Sequence, residues 1–165
     1  MVSLFLLPKN CVEVAFALRG GGSFLLRQLA QEVTEMFVEY NPNPVGLTTE
    51  DCAVRAISKA LNVSWDMAYM MLAMNGMKMG FLMNNNAVIA SVLRNNGFRK
   101  ANIPNTCPDC FTVEDFMELN PTGTYLLGTG THVVAVDGGD LYDTWDSSRE
   151  VPIYVWYENV NPKFE

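Results

Sequence analysis

Apolar residues follow helical spacing in the first half of the chain. After Thr49, apolar side chains recur three and four residues apart, at Ala53, Val54, Ile57, Ala60 and Leu61. This spacing is typical of an amphipathic helix that buries one face. Thr49 is a good N-cap, and the two acidic residues after it suit the positive end of the helix dipole. The pattern therefore predicts a helix that begins at Thr49 and ends at about Asn62.

Three further helices are indicated by their caps and their apolar spacing. Ser64 caps a helix that carries a dense run of methionines. A helix from about Asn86 to Asn95 has apolar residues on one face and Gly97 as its stop signal. Thr112 caps a short fourth helix, with Asp115 at the position of a capping-box acid.

Strand-like runs replace the helical spacing after Pro121. Four runs rich in β-branched and aromatic residues are separated by turn residues: TYLLG (124–128), HVVAV (132–136), LYDTW (141–145) and PIYVWY (152–157). The segment Asp137-Gly138-Gly139-Asp140 predicts a two-residue hairpin turn. We therefore expect an α+β domain, in which N-terminal helices pack on a C-terminal antiparallel β-sheet.

Residues 1–35 differ in pattern from the rest of the chain. They hold an apolar opening, a glycine-rich stretch from Arg19 to Ser23, and a helix-like run from Phe24 to Met36. Glycine-rich breaks of this kind form flexible joints. The pattern predicts a helical N-terminal extension over residues 1–35, dispensable for folding, and one folded domain over residues 36–165.

Composition and charge exclude several classes of function. The chain has 165 residues and a net charge of −7. A nucleic-acid binder needs a basic stripe, which this sequence lacks, so we expect no nucleic acid partner. The apolar stretch from Trp65 to Met83 is interrupted by polar residues, so we expect no membrane span. The four cysteines are too sparse for a disulfide scaffold, and the N-terminus is not typical of a signal peptide, so we expect a cytoplasmic protein.

Cys52 and His132 are the candidate nucleophile and base. Cys52 lies in the first turn of the first predicted helix, where the helix dipole favours a thiolate. A buried structural cysteine is the simpler interpretation of that position alone. His132 is the single histidine of the chain and opens a predicted strand after a short turn. A cysteine at a helix N-terminus and a histidine on a following hairpin are typical of thiol hydrolases.

Asp143 and Asp146 are the candidates for a third group that orients His132. If Gly138 and Gly139 form a two-residue turn, Asp137 pairs with Asp140, and counting outward pairs His132 with Trp145. Side chains alternate between faces along a strand, so Asp143 shares a face with His132. A longer turn with a bulge would instead bring Asp146 opposite His132. Paired glycines favour the short turn, and therefore Asp143.

Several stretches resemble a known family, the small papain-like cysteine peptidases often encoded by phages and gut bacteria. The matching stretches are YNPNP (40–44), EDCAVRAISKAL (50–61), IPNTCPDCFTVEDF (103–116), GTYLLG (123–128) and HVVAVDGGDLYDTWDSS (132–148). The chain is also similar to the peptidase domains that process bacteriocin leaders. The resemblance implies a papain-like catalytic domain with Cys52, His132 and an aspartate as its triad, in a bacterial or phage-infected cell.

The sequence departs from the family pattern before the nucleophile. Papain-like peptidases usually carry a glutamine there that helps to bind the oxyanion, and this chain has Gly46 at that position. Asn43, Thr48 or Thr49 could supply the missing donor. Trp145 follows the hairpin and is expected to shield the histidine. We therefore predict substrate-binding roles for Asn43, Thr49 and Trp145.

Two smaller clusters have simpler interpretations than a ligand site. Cys107 and Cys110 have metal-ligand spacing, but structural zinc needs four ligands, so we expect a reduced turn and no metal. A dense methionine cluster follows Trp65, at positions 67, 70, 71, 74, 77, 79 and 83. Adaptable core packing is the preferred interpretation, and a plastic apolar groove near the active helix is the alternative.

The residues together indicate a thiol hydrolase that cleaves a peptide or isopeptide bond in a peptide or protein substrate, without a cofactor. Two alternatives remain at this point. The same triad could serve an amidase or acyltransferase. The domain could also be a catalytically degenerate papain-like domain that binds a host or phage protein.

Overall fold

The computed structural model describes residues 36–104 and 108–164, which form a mixed α+β structure with four helices and one six-stranded sheet. The elements in chain order are β1 (Phe37–Glu39), α1 (Cys52–Ala60), α2 (Trp65–Met79), α3 (Asn86–Asn95), β2 (Arg99–Asn102), α4 (Val113–Leu119), β3 (Thr124–Gly128), β4 (Val133–Asp137), β5 (Asp140–Asp143) and β6 (Tyr154–Tyr157). The α+β class is confirmed. The predicted extension over residues 1–35 lies outside the described residues. None of the helices in the described segments has the length and apolar content needed to cross a bilayer.

The sheet differs from the expected one, which was antiparallel and wholly C-terminal. Its strand order is β1-β5-β4-β3-β6-β2, and β1 runs parallel to β5. Strand β1 has only three residues, too few to show a period of two. Strand β2 reads RKAN and is largely exposed, so it carries no apolar alternation. Both edge strands are held by backbone pairing to distant segments, a long-range effect that local sequence does not report.

Helix α1 begins at Cys52, so the prediction of Thr49 as its cap is wrong. Glu50 has a φ of 68°, in the left-handed region, so the backbone changes direction just before the helix. Asp51 is the N-cap instead, although its side chain makes no capping hydrogen bond. Cys52 is therefore the first helical residue.

The other predicted cap signals are confirmed. The Ser64 hydroxyl accepts a hydrogen bond from the Met67 backbone N–H at 3.2 Å. Gly97, with a φ of 87°, follows α3 and supplies the left-handed conformation that a terminating residue needs. Thr112 and Asp115 form the predicted capping box of α4.

The core lies on both faces of the sheet. On the first face, α1, α2 and α3 pack against four sheet side chains, Leu126, Val133, Ala135 and Trp156. On the second face, α4 packs against alternating neighbours of these residues, including Tyr125, Leu127, Val134, Val136 and Val155. Strands covered on both faces read as continuous apolar runs, as β3 and β4 do.

The methionines of α2 mostly face outward, so the prediction that they pack in the core is wrong for most of them. The buried residues of α2 are Ala68, Leu72 and Gly76, which lie four residues apart on one face. The exposed methionines are Met67, Met70, Met74, Met77 and Met79. The helix packs by this narrow face alone, and the longer methionine side chains lie on the remainder of its surface.

Candidate active site

Cys52 lies where a helix end favours a thiolate. It is the first residue of α1, is half-buried, and borders a cavity of about 930 Å³. The first N–H groups of a helix have no partner within the helix. The Asp51 side chain does not cap them, so their partial positive charge acts on the thiol.

His132 lies beside Asp143, with Nε2 at 2.6 Å from Oδ2. The predicted hairpin register is confirmed: Asp137 pairs with Asp140, and both glycines between them have positive φ. Asp146 is exposed and accepts a hydrogen bond from the Ser148 backbone N–H. The short turn therefore places Asp143, and not Asp146, against the imidazole.

Asp143 is held from several directions. It is only 2% exposed. Its Oδ2 accepts a hydrogen bond from the Ser147 hydroxyl at 2.8 Å, and its Oδ1 accepts one from the Thr144 backbone N–H at 2.8 Å. Burial alone would raise the pKa of this carboxyl, but the hydrogen bonds from His132 and Ser147 outweigh it and lower that pKa below its ordinary value. Asp143 is therefore a fixed, ionised partner for the imidazole.

The electrostatics of Cys52 and His132 favour an ion pair. Burial alone would lower the pKa of His132, but its hydrogen bonds to Asp143 and Cys52 raise that pKa to about 9. Burial alone would raise the pKa of the Cys52 thiol, but His132 and the Val133 backbone N–H lower it overall. Since Nε2 is committed to Asp143, Nδ1 is the imidazole nitrogen left for the thiol.

Arg55 is a site residue that the sequence reasoning missed. It lies one turn after Cys52 on α1, is 3% exposed, and forms an ion pair with Asp51 and another with Asp143. Because a lone charge is costly in a protein interior, the burial of Arg55 indicates that its charge has a specific role. The sequence feature that could have identified Arg55 is its place among the apolar positions of a helix with a buried face.

Trp145 lies beside His132, as the sequence predicted, whereas Asn43 and Thr49 lie outside the cavity lining. The Trp145 ring centroid lies 5.5 Å from that of His132, so it covers one side of the imidazole. The Asn43 amide N–H₂ donates to Asp51 at 2.9 Å, and its oxygen accepts from the Val45 backbone N–H. Neither Asn43 nor Thr49 borders the cavity. Substrate binding by Asn43, Thr49 and Trp145 stays a prediction.

The cavity beside Cys52 has an apolar floor and a polar rim. Its floor includes the core residues Ala53, Val54, Leu72, Ile89 and Val133. Its exposed rim includes Glu50, Asn84, Asn85, Asn86, Gly130 and Thr131, and the more buried Thr129 and Tyr154 also line it.

Tyr154 was also missed, because its position depends on a distant glycine. Gly128 pairs with Tyr154 across the sheet, and a side chain at residue 128 would overlap the Tyr154 ring. The Tyr154 hydroxyl donates to the Asn86 side-chain oxygen at 3.3 Å. Burial raises the pKa of this phenol, and the nearby Cys52 raises it further. The phenol is therefore held at the cavity wall close to the nucleophile.

Two further findings concern the identity of the site. No protein-family model, no curated protein and no solved structure matches this chain. Within residues 36–104 and 108–164, no three Cys, His, Asp or Glu side chains are grouped as metal ligands. Cys107, one of the two cysteines considered for zinc, lies outside the described residues.

Proposed function

We propose that this protein is a papain-like thiol hydrolase that cleaves a peptide or isopeptide bond. The observation that carries the proposal is the meeting of Cys52, His132 and Asp143 at one end of the β4–β5 hairpin. The thiol opens a helix, the imidazole lies beside it, and the carboxylate lies 2.6 Å behind the imidazole. This is the arrangement of nucleophile, base and orienting group that thiol hydrolases use. The resemblance of several stretches to papain-like peptidases supports the same conclusion.

The proposed reaction has two halves. The Cys52 thiolate attacks the substrate carbonyl carbon, and His132 gives its proton to the leaving amine as the C–N bond breaks. The product is a thioester on Cys52. His132 then takes a proton from water, which attacks the thioester, and as the C–S bond breaks the carboxylic acid leaves and the Cys52 thiolate and His132 imidazolium are restored. Asp143 keeps the imidazole oriented in both halves.

The oxyanion of each tetrahedral intermediate needs donors other than the usual glutamine. The backbone N–H groups at the start of α1 are suited to this role, since the Asp51 side chain does not cap them. A domain that only binds a partner would gain nothing from a lowered thiol pKa at Cys52. The lowered pKa of the Cys52 thiol beside His132 therefore supports an enzyme over a degenerate binding domain.

The proposal is tested with a peptide library derived from a whole proteome. The full chain and its Cys52→Ala variant are incubated with the library, and new peptide N-termini are identified by mass spectrometry. We expect cleavage by the wild type, none by Cys52→Ala, and undiminished cleavage by the matched cysteine control Cys110→Ala. Equal cleavage by wild type and Cys52→Ala would exclude Cys52 as the nucleophile. An epoxide probe that labels folded wild type at Cys52 gives a second, substrate-independent readout.

A further inference from the structure

Arg55 occupies an unusual place for a charged residue. It lies inside α1, three residues after Cys52, and is 3% exposed. Its Nη1 pairs with Asp51, one turn earlier on the same segment. Its Nη2 lies 3.5 Å from Oδ1 of Asp143, at the end of β5. One guanidinium thus contacts the residue before the nucleophile and the residue behind the base.

Stability alone is a weak reason for this arrangement. The Nε of Arg55 is buried and has no hydrogen-bond partner among the residues that the structure describes. Buried ion pairs often stabilise a fold no better than apolar residues of the same volume, because both charges lose their hydration. A buried polar group that stays unsatisfied calls for another explanation.

The geometry supplies that explanation. Within the described part of the chain, Arg55–Asp143 is the one ion pair that joins α1 to β5. The Asp51 carboxylate is also held in place, because it accepts hydrogen bonds from the Asn43 amide and the Trp65 indole, both at 2.9 Å. The guanidinium is thereby held between two anchored carboxylates.

We propose that Arg55 is a positioning residue, which ties the start of the nucleophile helix to Asp143, the carboxylate behind His132. This proposal rests on the proposed function only in naming the reaction as hydrolysis. The coupling of Arg55 to the Cys52–His132 pair does not depend on which reaction that pair catalyses. The planar guanidinium of an arginine can bridge two carboxylates, whereas the single ammonium of a lysine could replace it only in part.

The charged and titratable groups around Cys52 define what removal of Arg55 should do. His132 and Arg55 lower the pKa of the Cys52 thiol, and Cys52 in turn raises the pKa of the Tyr154 phenol. Glu50 and Asp51 border the same cavity. The positive charge of Arg55 lowers the pKa of the Cys52 thiol. A neutral residue at position 55 should therefore shift thiolate formation to higher pH.

The test is the pH dependence of Cys52 alkylation by iodoacetamide in the full chain, followed residue by residue with mass spectrometry. In Arg55→Gln, we expect the pH midpoint of alkylation to rise by less than about one pH unit, because Arg55 is the smallest of the causes that lower the pKa of the Cys52 thiol. In Arg55→Lys, the charge is kept and the midpoint should return most of the way to the wild-type value. The matched control is Lys59→Met, which removes a cation from the next turn of the same helix, where it pairs with Asp137. Its midpoint should not move.

A wild-type midpoint in folded Arg55→Gln would overturn the proposal, and so would an equal shift in Lys59→Met. If Arg55→Gln does not fold, Arg55→Met, which fills a similar space without a charge, takes its place with the same expected rise, and a wild-type midpoint in folded Arg55→Met overturns the proposal. Because alkylation needs no substrate, these outcomes are independent of peptide cleavage. A shifted midpoint in a protein that cleaves nothing would retain the role of Arg55 and reject the hydrolase.

Discussion

The two ends of the β4–β5 hairpin carry the same chemistry in different surroundings. At each end, an aspartate pairs with a cation from α1: Asp143 with Arg55 at the open end, and Asp137 with Lys59 at 3.0 Å near the turn. The Asp143 and Arg55 side chains are 2% and 4% exposed, whereas those of Asp137 and Lys59 are 38% and 22% exposed. Burial, rather than the type of residue, therefore separates the candidate site from an ordinary surface pair.

The largest expected difference between the two ends is in turnover. Asp143→Asn keeps the shape of the side chain but removes the carboxylate that orients His132, which costs about 10⁴-fold in comparable triads. Asp137→Asn and Asp146→Asn should stay near wild type, because neither residue contacts the imidazole. The measurement is kcat/KM on any peptide found by the library experiment. A large loss in Asp146→Asn with a normal Asp143→Asn would contradict the assignment.

A second difference concerns pH and stability. His132 has a pKa raised from 6.5 to about 9 in the folded protein. Its protonated form therefore contributes stability that is fully present below pH 6.5 and is lost as the pH rises through about 9. We expect about 1–3 kcal/mol for this contribution. Urea unfolding of wild type and His132→Gln should show a gap at about pH 6 that narrows by about pH 10. A gap that widens with pH would reverse the sign and contradict the ion pair.

An effect of comparable size is expected where β3 ends beside the open end of the hairpin. A methyl group at Gly128 would overlap the Tyr154 ring, so Gly128→Ala should lower the free energy of unfolding by about 1–3 kcal/mol. Gly130→Ala is the matched control, because a methyl group there meets no atom within 4 Å. Thermal unfolding compares the two variants. Equal melting temperatures would mean that Tyr154 does not lie across Gly128.

The smallest effect belongs to the pair near the turn. Lys59→Met keeps the aliphatic stem and removes the ammonium from Asp137 and from the Tyr142 ring, 3.7 Å away. Partly exposed pairs of this kind contribute less than about 1 kcal/mol. Urea unfolding at low and high salt should show a small, salt-dependent loss. A loss of several kcal/mol would indicate that this end is as tightly coupled as the other.

The sequence predicted features that depend on a few neighbouring residues. The paired glycines after Asp137 determine the hairpin register, and the register brings Asp143 to His132. The caps at Ser64 and Thr112 follow from side chains that bond to backbone groups three residues away. These interactions are local, so a single sequence is enough to recognise them.

The sequence did not predict the features that depend on distant contacts. The start of α1 is set by the left-handed Glu50 and by Asp51, whose carboxylate is held by Asn43 and Trp65. The pairing of β2 with β6 makes a strand of the polar run RKAN. The burial of Arg55 likewise depends on a carboxylate 88 residues later in the chain, which no local pattern reports.

The most direct test of the account is the alkylation rate of each cysteine in the folded full chain at about pH 6. At that pH an ordinary thiol is almost wholly protonated and reacts slowly. Cys52 should react fastest of the four cysteines, because the helix end and His132 stabilise its thiolate. If Cys11, Cys107 or Cys110 reacts faster than Cys52, then Cys52 is not an activated nucleophile, and the proposed hydrolase loses its foundation.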